Sequence, residues 1–533
     1  MYDGSQMSIA SSVTTESPMP SQGRIPRPPV ILIAICAVVD LLVLIPIGIT
    51  LFDALRGGVA HATHLLVSTT SWNLIGNTIG VAVIATPLCG VLGTIEAWLI
   101  ERTALPWKSM WSVLLVAPLT MPLFVTSYTW AHLGPLFQGE VGAIGIIVVS
   151  YTPLVFLLVS AALRGLDPVL EEVAQSMGSS PIRTFFTVVL PQLWPALVGS
   201  MLLVGLDALV EFDAFVALSF QTISTSIYAQ YQTSFSSSGA AVLSVFSIIC
   251  CIVLLIVERL IRGNRNYTRL AHGAQRPILL QPNRKSLPFR IGLLLLFAGI
   301  GIILPLVTLI YWFTSGSSLA LNLASLSLQT LPSSTLTSLM LGLITAVFTV
   351  VLAFPIALLI TRYPTFLANM MERTVFLAFA LPDLVGAIAI SSGASAVTPW
   401  LYETVPLLIY AYLILYLPLA VVALRTSLGQ IEPRFEDVAR TLGSTPLGVI
   451  RRVTLPLARP GIGAAAVLVF AFVLGDLSTT QVLSPPGMTT LGTQFWADSS
   501  TVAFAAAAPY ALVLALLAGI AAILLMRWFG KRR

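Results

Sequence analysis

Among the carboxylates inside long apolar runs, where their chemistry is costly to keep, six stand out. Asp207, Glu211 and Asp213 share one run, Asp476 interrupts another, Asp383 follows Pro382 in a third, and Asp40 sits in the first. Carboxylates are hard oxygen ligands suited to hard cations, and acidic groups within apolar segments tend to face a cavity or a partner. No Lys or Arg lies deep enough in these runs to neutralise them. Two readings of Glu211 and Asp476 stand side by side: they face each other and line a passage, or they cap broken helices and bond nearby backbone. Asp40 reads as structural. His61 and His64 could pair on a metal, but two ligands do not make a site. His132 and His272 stand alone, and Cys36, Cys89, Cys250 and Cys251 all fall in apolar runs without CxxC spacing, as small buried hydrophobes do. No metal is assigned. No catalytic residue is assigned either, since a nucleophile motif and a His or Cys cluster are missing.

The segments that must position these carboxylates are read from composition. The chain has 533 residues, 57% hydrophobic and 9% charged, against roughly 25% charged in soluble domains. So few charges cannot cover a water-facing surface, whereas a bilayer-embedded chain faces hydrocarbon. Runs long enough to cross a membrane, about 20 apolar residues, lie near 30–52, 74–100, 110–131, 141–163, 196–218, 240–262, 289–313, 336–361, 374–396, 405–424, 461–483 and 504–528. Twelve helical spans follow; the alternating ten-residue pattern of a membrane β-barrel does not occur. With both termini placed in the cytoplasm, only Arg56 of the 27 basic residues falls outside, the asymmetry expected of cytoplasmic loops. The basic charge is spread over those loops, so it reflects orientation, and no nucleic-acid partner is expected. The division expected is a disordered cytoplasmic tail over 1–28, a six-span half over 29–262, a basic cytoplasmic linker over 263–288 and a second six-span half over 289–533. Aromatic residues near span ends, Trp72, Tyr128, Trp130, Tyr311 and Trp312, fit an interfacial belt.

The two halves repeat at an offset of 265 residues, and the repeat is clearest in one inner loop of each. Tyr151-Thr-Pro153, Asp167-Pro168, Glu171-Glu172-Val173-Ala174-Gln175-Ser176-Met177-Gly178-Ser179-Ser180-Pro181 and Leu190-Pro191 are matched by Tyr416-Leu-Pro418, Glu432-Pro433, Glu436-Asp437-Val438-Ala439-Arg440-Thr441-Leu442-Gly443-Ser444-Thr445-Pro446 and Leu455-Pro456. Both copies join the fourth and fifth spans of their half and lie on one side of the membrane, so the repeats are parallel. Pro168 and Pro433 suit a first helical position, with Asp167 or Glu432 at the positive end of the helix dipole. Gly178 and Gly443 suit a left-handed stop. Ser180-Pro181 and Thr445-Pro446 then restart a helix, which Pro191 and Pro456 are expected to end or kink. The result is a helix–turn–helix exposed to cytosol, a shape that a partner's groove could grip.

This motif, Glu-Glu/Asp-Val-Ala-x-x-x-Gly followed by Leu-Pro, resembles the EAA loop of binding-protein-dependent ABC importer permeases, here near 164–195 and 428–460. Valine departs mildly from the family's first alanine. The resemblance implies an all-α fold, a type I importer transmembrane domain of about twelve helices in two parallel six-helix repeats. It implies coupling residues Glu171, Glu172, Ala174, Gly178 and Pro181 in one loop, and Glu436, Asp437, Ala439, Gly443 and Pro446 in the other. It further implies two ATPase subunits beneath the loops, a periplasmic or lipid-anchored binding protein outside, and a bacterial inner (cytoplasmic) membrane with its lipid around the chain. No Gly-x-x-x-x-Gly-Lys-Ser/Thr motif occurs, so the chain is read as a non-enzymatic transport subunit that binds no cofactor, with ATP and Mg on the partner ATPases. Two fused halves, and the stretch Gly475-Asp476-Leu477-Ser478-Thr479-Thr480 with Leu483 to Leu491, resemble the ferric-iron group, with thiamine, polyamine or phosphonate permeases as alternatives. Asp207, Glu211, Asp213, Asp383 and Asp476 are the candidate pathway residues. The competing class is an ion-gradient-driven secondary transporter with two parallel halves.

Overall fold

The computed structural model describes residues 28–56, 68–164, 166, 168–234, 237–262, 287–315, 330–379, 381–429 and 431–530. Residues 1–27 of the expected tail, 263–286 of the expected linker, His61, His64, His272 and the expected cap Asp167 lie outside them. Every regular element among the described residues is helical, as the apolar runs require when the backbone must bond to itself in hydrocarbon. The first half carries α1 (Val30–Arg56), α2 (Thr69–Arg102), α3 (Lys108–Val116), α4 (Leu123–Ala131), α5 (Gly139–Arg164), α6 (Pro168–Ser176), α7 (Leu190–Val210), α8 (Asp213–Ala217), α9 (Ile223–Ser234) and α10 (Ser237–Arg262). The second half carries α11 (Leu287–Ala298), α12 (Leu304–Ser315), α13 (Thr330–Arg362), α14 (Phe366–Phe379), α15 (Asp383–Val397), α16 (Val405–Leu428), α17 (Pro433–Thr441), α18 (Leu455–Gly475), α19 (Ser478–Leu483), α20 (Leu491–Ser500) and α21 (Phe504–Gly530). Among the described residues, 10 helical stretches are long and apolar enough to cross a bilayer, and the number reaches 12 if two bent pairs each make one span.

Those bent pairs correct the continuous helices expected over 110–131 and 374–396. The first pair, α3 and its following turn against α4, bends by 83°, and α14 against α15 bends by 96°. Pro122 and Pro382 stand immediately before α4 and α15 with extended ψ of 133° and 137°. A proline has no N–H to continue the ladder and pushes its predecessor out of helical geometry. The runs 196–218 and 461–483 are also interrupted: α7 stops at Val210 and resumes as α8, while α18 stops at Gly475 and resumes as α19. Conversely, Pro191 and Pro456 end nothing. One turn of π-helix, Phe185–Val189 or Ile450–Thr454, precedes each of them. The helices run unbroken over Ile182–Val210 and Pro446–Gly475, because a widened turn accommodates the proline ring and its missing donor.

The halves are interlocked by their first spans. Cys36, Val39 and Val43 of α1 are buried with α13, α14 and α16 of the second half. Tyr410 Oη donates to Leu42 O at 2.9 Å, and Ser392 Oγ donates to Asp53 Oδ2 at 2.7 Å. Reciprocally, Leu294 of α11 is buried in the first half's core, with Ile291, Phe297 and Leu304 packed against it. Of the expected aromatic belt, Trp72 and Tyr311 are exposed but Trp130 and Trp312 are buried; Trp312 stacks on Phe504 with centroids 4.5 Å apart.

Within the first half α2 crosses α5 so closely that Gly93 touches it. A Cβ there would lie 2.7 Å from Val155 Cβ and 2.9 Å from the Phe156 backbone nitrogen, and backbone cannot move aside. We expect Gly93→Ala to destabilise by about 1–3 kcal/mol through overpacking, read as a lowered unfolding midpoint in detergent; an unshifted midpoint would contradict this contact.

Candidate functional site

The duplicated loops fold alike. Helix α6 ends at Gly178, φ +86°, and α17 at Gly443, φ +83°. In each, the glycine N–H and the next N–H return to helix carbonyls: Gly178 to Gln175 and Ser179 to Ala174, Gly443 to Arg440 and Ser444 to Ala439. This double closure needs a left-handed residue, which glycine supplies without a Cβ penalty. A short helix begins at Pro181 and at Pro446, where Ser180 Oγ accepts from Arg183 N at 3.4 Å and Thr445 Oγ1 from Gly448 N at 3.2 Å.

The motif glutamates differ in direction. Glu172 and Asp437 are exposed, Ala174 is half-buried and Ala439 buried. Glu171 and Glu436, by contrast, are turned inward and about 5% exposed. Arg102 Nη2, at the end of α2, donates to Glu171 Oε1 at 2.6 Å. Arg362, at the end of α13, donates to Glu436 Oε1 from Nε and from Nη2, both at 2.9 Å. Burial pushes the Glu171 carboxyl above its ordinary range, and the Arg102 charge and hydrogen bond oppose that rise.

What faces outward is apolar. Leu170, Val173, Met177 and Ile182 are all exposed, and so are Phe435, Val438, Leu442 and Leu447, each 265 residues further on. Met177 and Leu442 are 82% and 80% exposed. Eight apolar side chains at equivalent positions, on the loops joining α5 to α7 and α16 to α18, form two matching exposed apolar faces.

The intramembrane carboxyls gather where α7 and α18 break. Glu211 Oε1 accepts from Ala214 N at 2.9 Å, and Asp476 Oδ1 accepts from Thr479 N at 2.9 Å. Each therefore caps the short helix beyond its break. Asp476 Oδ2 also accepts from Tyr416 Oη at 2.5 Å and from Thr479 Oγ1 at 2.8 Å. Ser478 Oγ donates to Asp213 Oδ1 at 2.7 Å. These two residues are repeat equivalents, so their contact lies on the pseudo-two-fold axis between the halves. Asp207, Glu211, Asp213 and Asp383 are partly accessible despite their depth, and Asp383, at the start of α15, is within electrostatic reach of Asp207, Asp213 and Asp476. Among the described residues they do not converge into a group of three metal-ligating side chains. At 1.5 Å per residue, α7 places the break roughly 30 Å from Leu190, toward the face opposite the duplicated loops.

Sequence reading does not reveal that Tyr416 bonds Asp476, that Tyr412 bonds Thr480 or that Ser478 bonds Asp213. Tyr416 was visible as the repeat partner of Tyr151, which lies within electrostatic reach of Asp207 and Glu211. It also missed Glu96, which is 2% exposed and borders a separate apolar cavity of about 210 Å³ with Pro118, Pro153 and Phe297. Asp40 is buried in α1, and its Oδ1 has no hydrogen-bond partner.

The model of the binding-protein-dependent transport system inner membrane component matches residues 102–265 and again 350–533. The chain belongs to this family. It is a multi-pass inner-membrane permease component of an ABC importer, present as two repeats in one polypeptide. It is 35% identical to the Fe(3+)-transport system permease protein FbpB 2 of Haemophilus influenzae over 510 residues, which is 95% of this chain and 99% of that protein. It is 25% identical to the ferric transport system permease protein FbpB of Actinobacillus pleuropneumoniae, over 63% of this chain and 51% of that one. Similarity to the molybdenum transport system permease protein ModB of Escherichia coli is 28%, over 38% of this chain and 98% of that one.

An aspartate at the centre of either exposed apolar face should weaken an apolar partner contact made there. Val173→Asp and Val438→Asp are each expected to weaken ATPase binding by roughly thirtyfold, the ~2 kcal/mol scale of an interface hot spot. The unfolding midpoint of the isolated permease should not move, because both side chains already face water. Unchanged co-purification of the ATPase would remove these faces as the docking surface.

Proposed function

We propose that this permease forms the inner-membrane passage for ferric iron, released to it by an external binding protein and driven by two cytoplasmic ATPase subunits. The single observation that carries the cargo assignment is similarity along almost the whole chain to a permease named for Fe(3+) transport. Carboxylate, phenol and hydroxyl oxygens where the two halves meet suit a hard cation. They suit passage rather than storage, since a path must bind weakly enough to release. Asp207, Glu211, Asp213, Asp383 and Asp476 line this route, and Tyr416 orients Asp476. ATP and Mg act on the ATPase subunits, which grip the apolar faces centred on Val173 and Val438. The termini and both loops lie in the cytoplasm, on the side where the basic residues concentrate.

Proteoliposomes holding the permease, its ATPase subunits and its binding protein provide the test. They should accumulate radiolabelled iron(III) from the loaded binding protein only with Mg-ATP. Uptake driven by an ion gradient without ATP would establish a secondary carrier. ATP-driven uptake of molybdate or sulfate with no iron uptake would overturn the cargo assignment. Asp476→Asn keeps the side chain's shape and removes its charge. It should lower iron uptake roughly tenfold, the ~1.4 kcal/mol scale of one charge-assisted hydrogen bond.

A further inference from the structure

Each docking loop has two physical connections to the membrane domain. One is covalent: the helix restarting at Pro181 or Pro446 continues without interruption to Val210 or Gly475. The other is the buried ion pair. We infer that Arg102 and Arg362 are positioning residues that clasp the docking helices α6 and α17 to the membrane helices, so that displacement of a loop by the ATPase is transmitted to the passage instead of being absorbed in a hinge. This rests on the permease reading above.

The geometry of the second half shows the clasp most completely. The Arg362 guanidinium closes the end of α13, holds Glu436 of α17 through two nitrogens, and donates to Ile431 O at 3.2 Å. Thr454 Oγ1, in the π-turn leading into α18, donates to the same Glu436 oxygen at 3.1 Å. One carboxylate thus ties the docking helix to α13 and to the root of the helix that ends at Asp476. Arg102 repeats the pattern in the first half, from the end of α2 to Glu171 and to Leu163 O at 3.4 Å. There the tie is thinner: one nitrogen reaches Glu171, Arg102 Nε is buried without a partner, and Val189 occupies the position equivalent to Thr454. Each arginine is 69 or 74 residues before its glutamate, so local helix geometry does not impose either pair. Exposure of the neighbouring Glu172 and Asp437 leaves the partner other carboxylates to meet, while the buried pair is spent within the chain.

The test uses the complete importer in proteoliposomes and reads iron(III) uptake per ATP hydrolysed. Single variants Glu436→Gln and Arg362→Gln strand a buried partner, so the double variant R362M/E436M, which removes both charges and keeps comparable length, is the decisive one. ATPase binding and hydrolysis should stay within about twofold of the unaltered complex, while uptake per ATP should fall at least about fivefold, the lower end of typical site-to-site coupling. Arg362→Lys should recover part of the ratio, and R102M/E171M should lose less than its second-half counterpart. An unchanged ratio in R362M/E436M overturns the inference. So does a parallel fall of assembly, hydrolysis and uptake, which identifies the pair as structural only. Absence of ATP-driven uptake in the unaltered complex would sink the permease reading itself, a distinguishable result.

Discussion

A chain in hydrocarbon must close its own backbone, because an open N–H or C=O there finds no water and costs several kcal/mol. Long helices meet that demand without help, and the ten candidate crossings do so. Departures from helix must then be matched by other groups: backbone bonds serve at the turns before α4 and α15, as from Met121 N to Pro118 O and Leu381 N to Ala378 O, whereas side chains serve after α7 and α18. The ends of α7 and α18 show this directly. The peptide groups released after Val210 and Gly475 are taken up by Glu211 and Asp476, each bonding the N–H three residues ahead. A carboxylate that caps a broken helix is therefore also a carboxylate displayed at the junction of the halves. Of the two readings open at the sequence level, the bonds present are those of capping: the backbone bond fixes one oxygen of each carboxyl, and Asp476 gives its other oxygen to Tyr416 Oη and Thr479 Oγ1.

Duplication explains why both breaks exist, and divergence explains what they became. At the axis, Asp213 meets its own repeat equivalent, which in the second half is Ser478. Two aspartates there would repel each other at short range; an aspartate with a hydroxyl makes a hydrogen bond instead. Of the five candidate carboxyls, Asp207, Glu211 and Asp213 belong to the first half, while the second half carries Asp383 and surrounds Asp476 with Tyr412, Tyr416 and Thr480. A fused pair of halves can hold such asymmetry permanently, which two identical subunits around the same axis could not.

How much of this the sequence discloses follows from the range of each interaction. The duplicated loops are local: capping residues, a left-handed glycine and a restart proline act within a few positions, and duplication at constant offset makes them readable. Span positions are readable because hydropathy averages over the full bilayer thickness. The same averaging hides breaks of two or three residues, so 110–131, 196–218, 374–396 and 461–483 read as continuous. Prolines mislead in both directions: Pro122 and Pro382 break helices, whereas Pro191 and Pro456 are accommodated by a π-turn. The exchange of α1 and α11 between halves, the inward turn of Glu171 and Glu436, and their arginines are invisible to local pattern. They depend on which helix ends happen to meet in three dimensions.

The arginines connect the contacts that local pattern hides to the coupling inferred above. Burying a guanidinium with a carboxylate is weak evidence for stability, since desolvation offsets much of the attraction; an apolar pair would fill the same space. What the ion pair adds is direction. Its hydrogen bonds hold α6 and α17 at a fixed angle to the helix ends beneath them, while the apolar faces on the other side remain free for a partner. Force applied at Val173 or Val438 then has a stiff route through Glu171 or Glu436 into α2 or α13, parallel to the continuous route into α7 or α18. Two routes that enter the same bundle leave α6 or α17 little freedom to pivot alone, so under the inferred clasp displacement at the duplicated loops reaches the breaks at Glu211 and Asp476 as motion of whole helices.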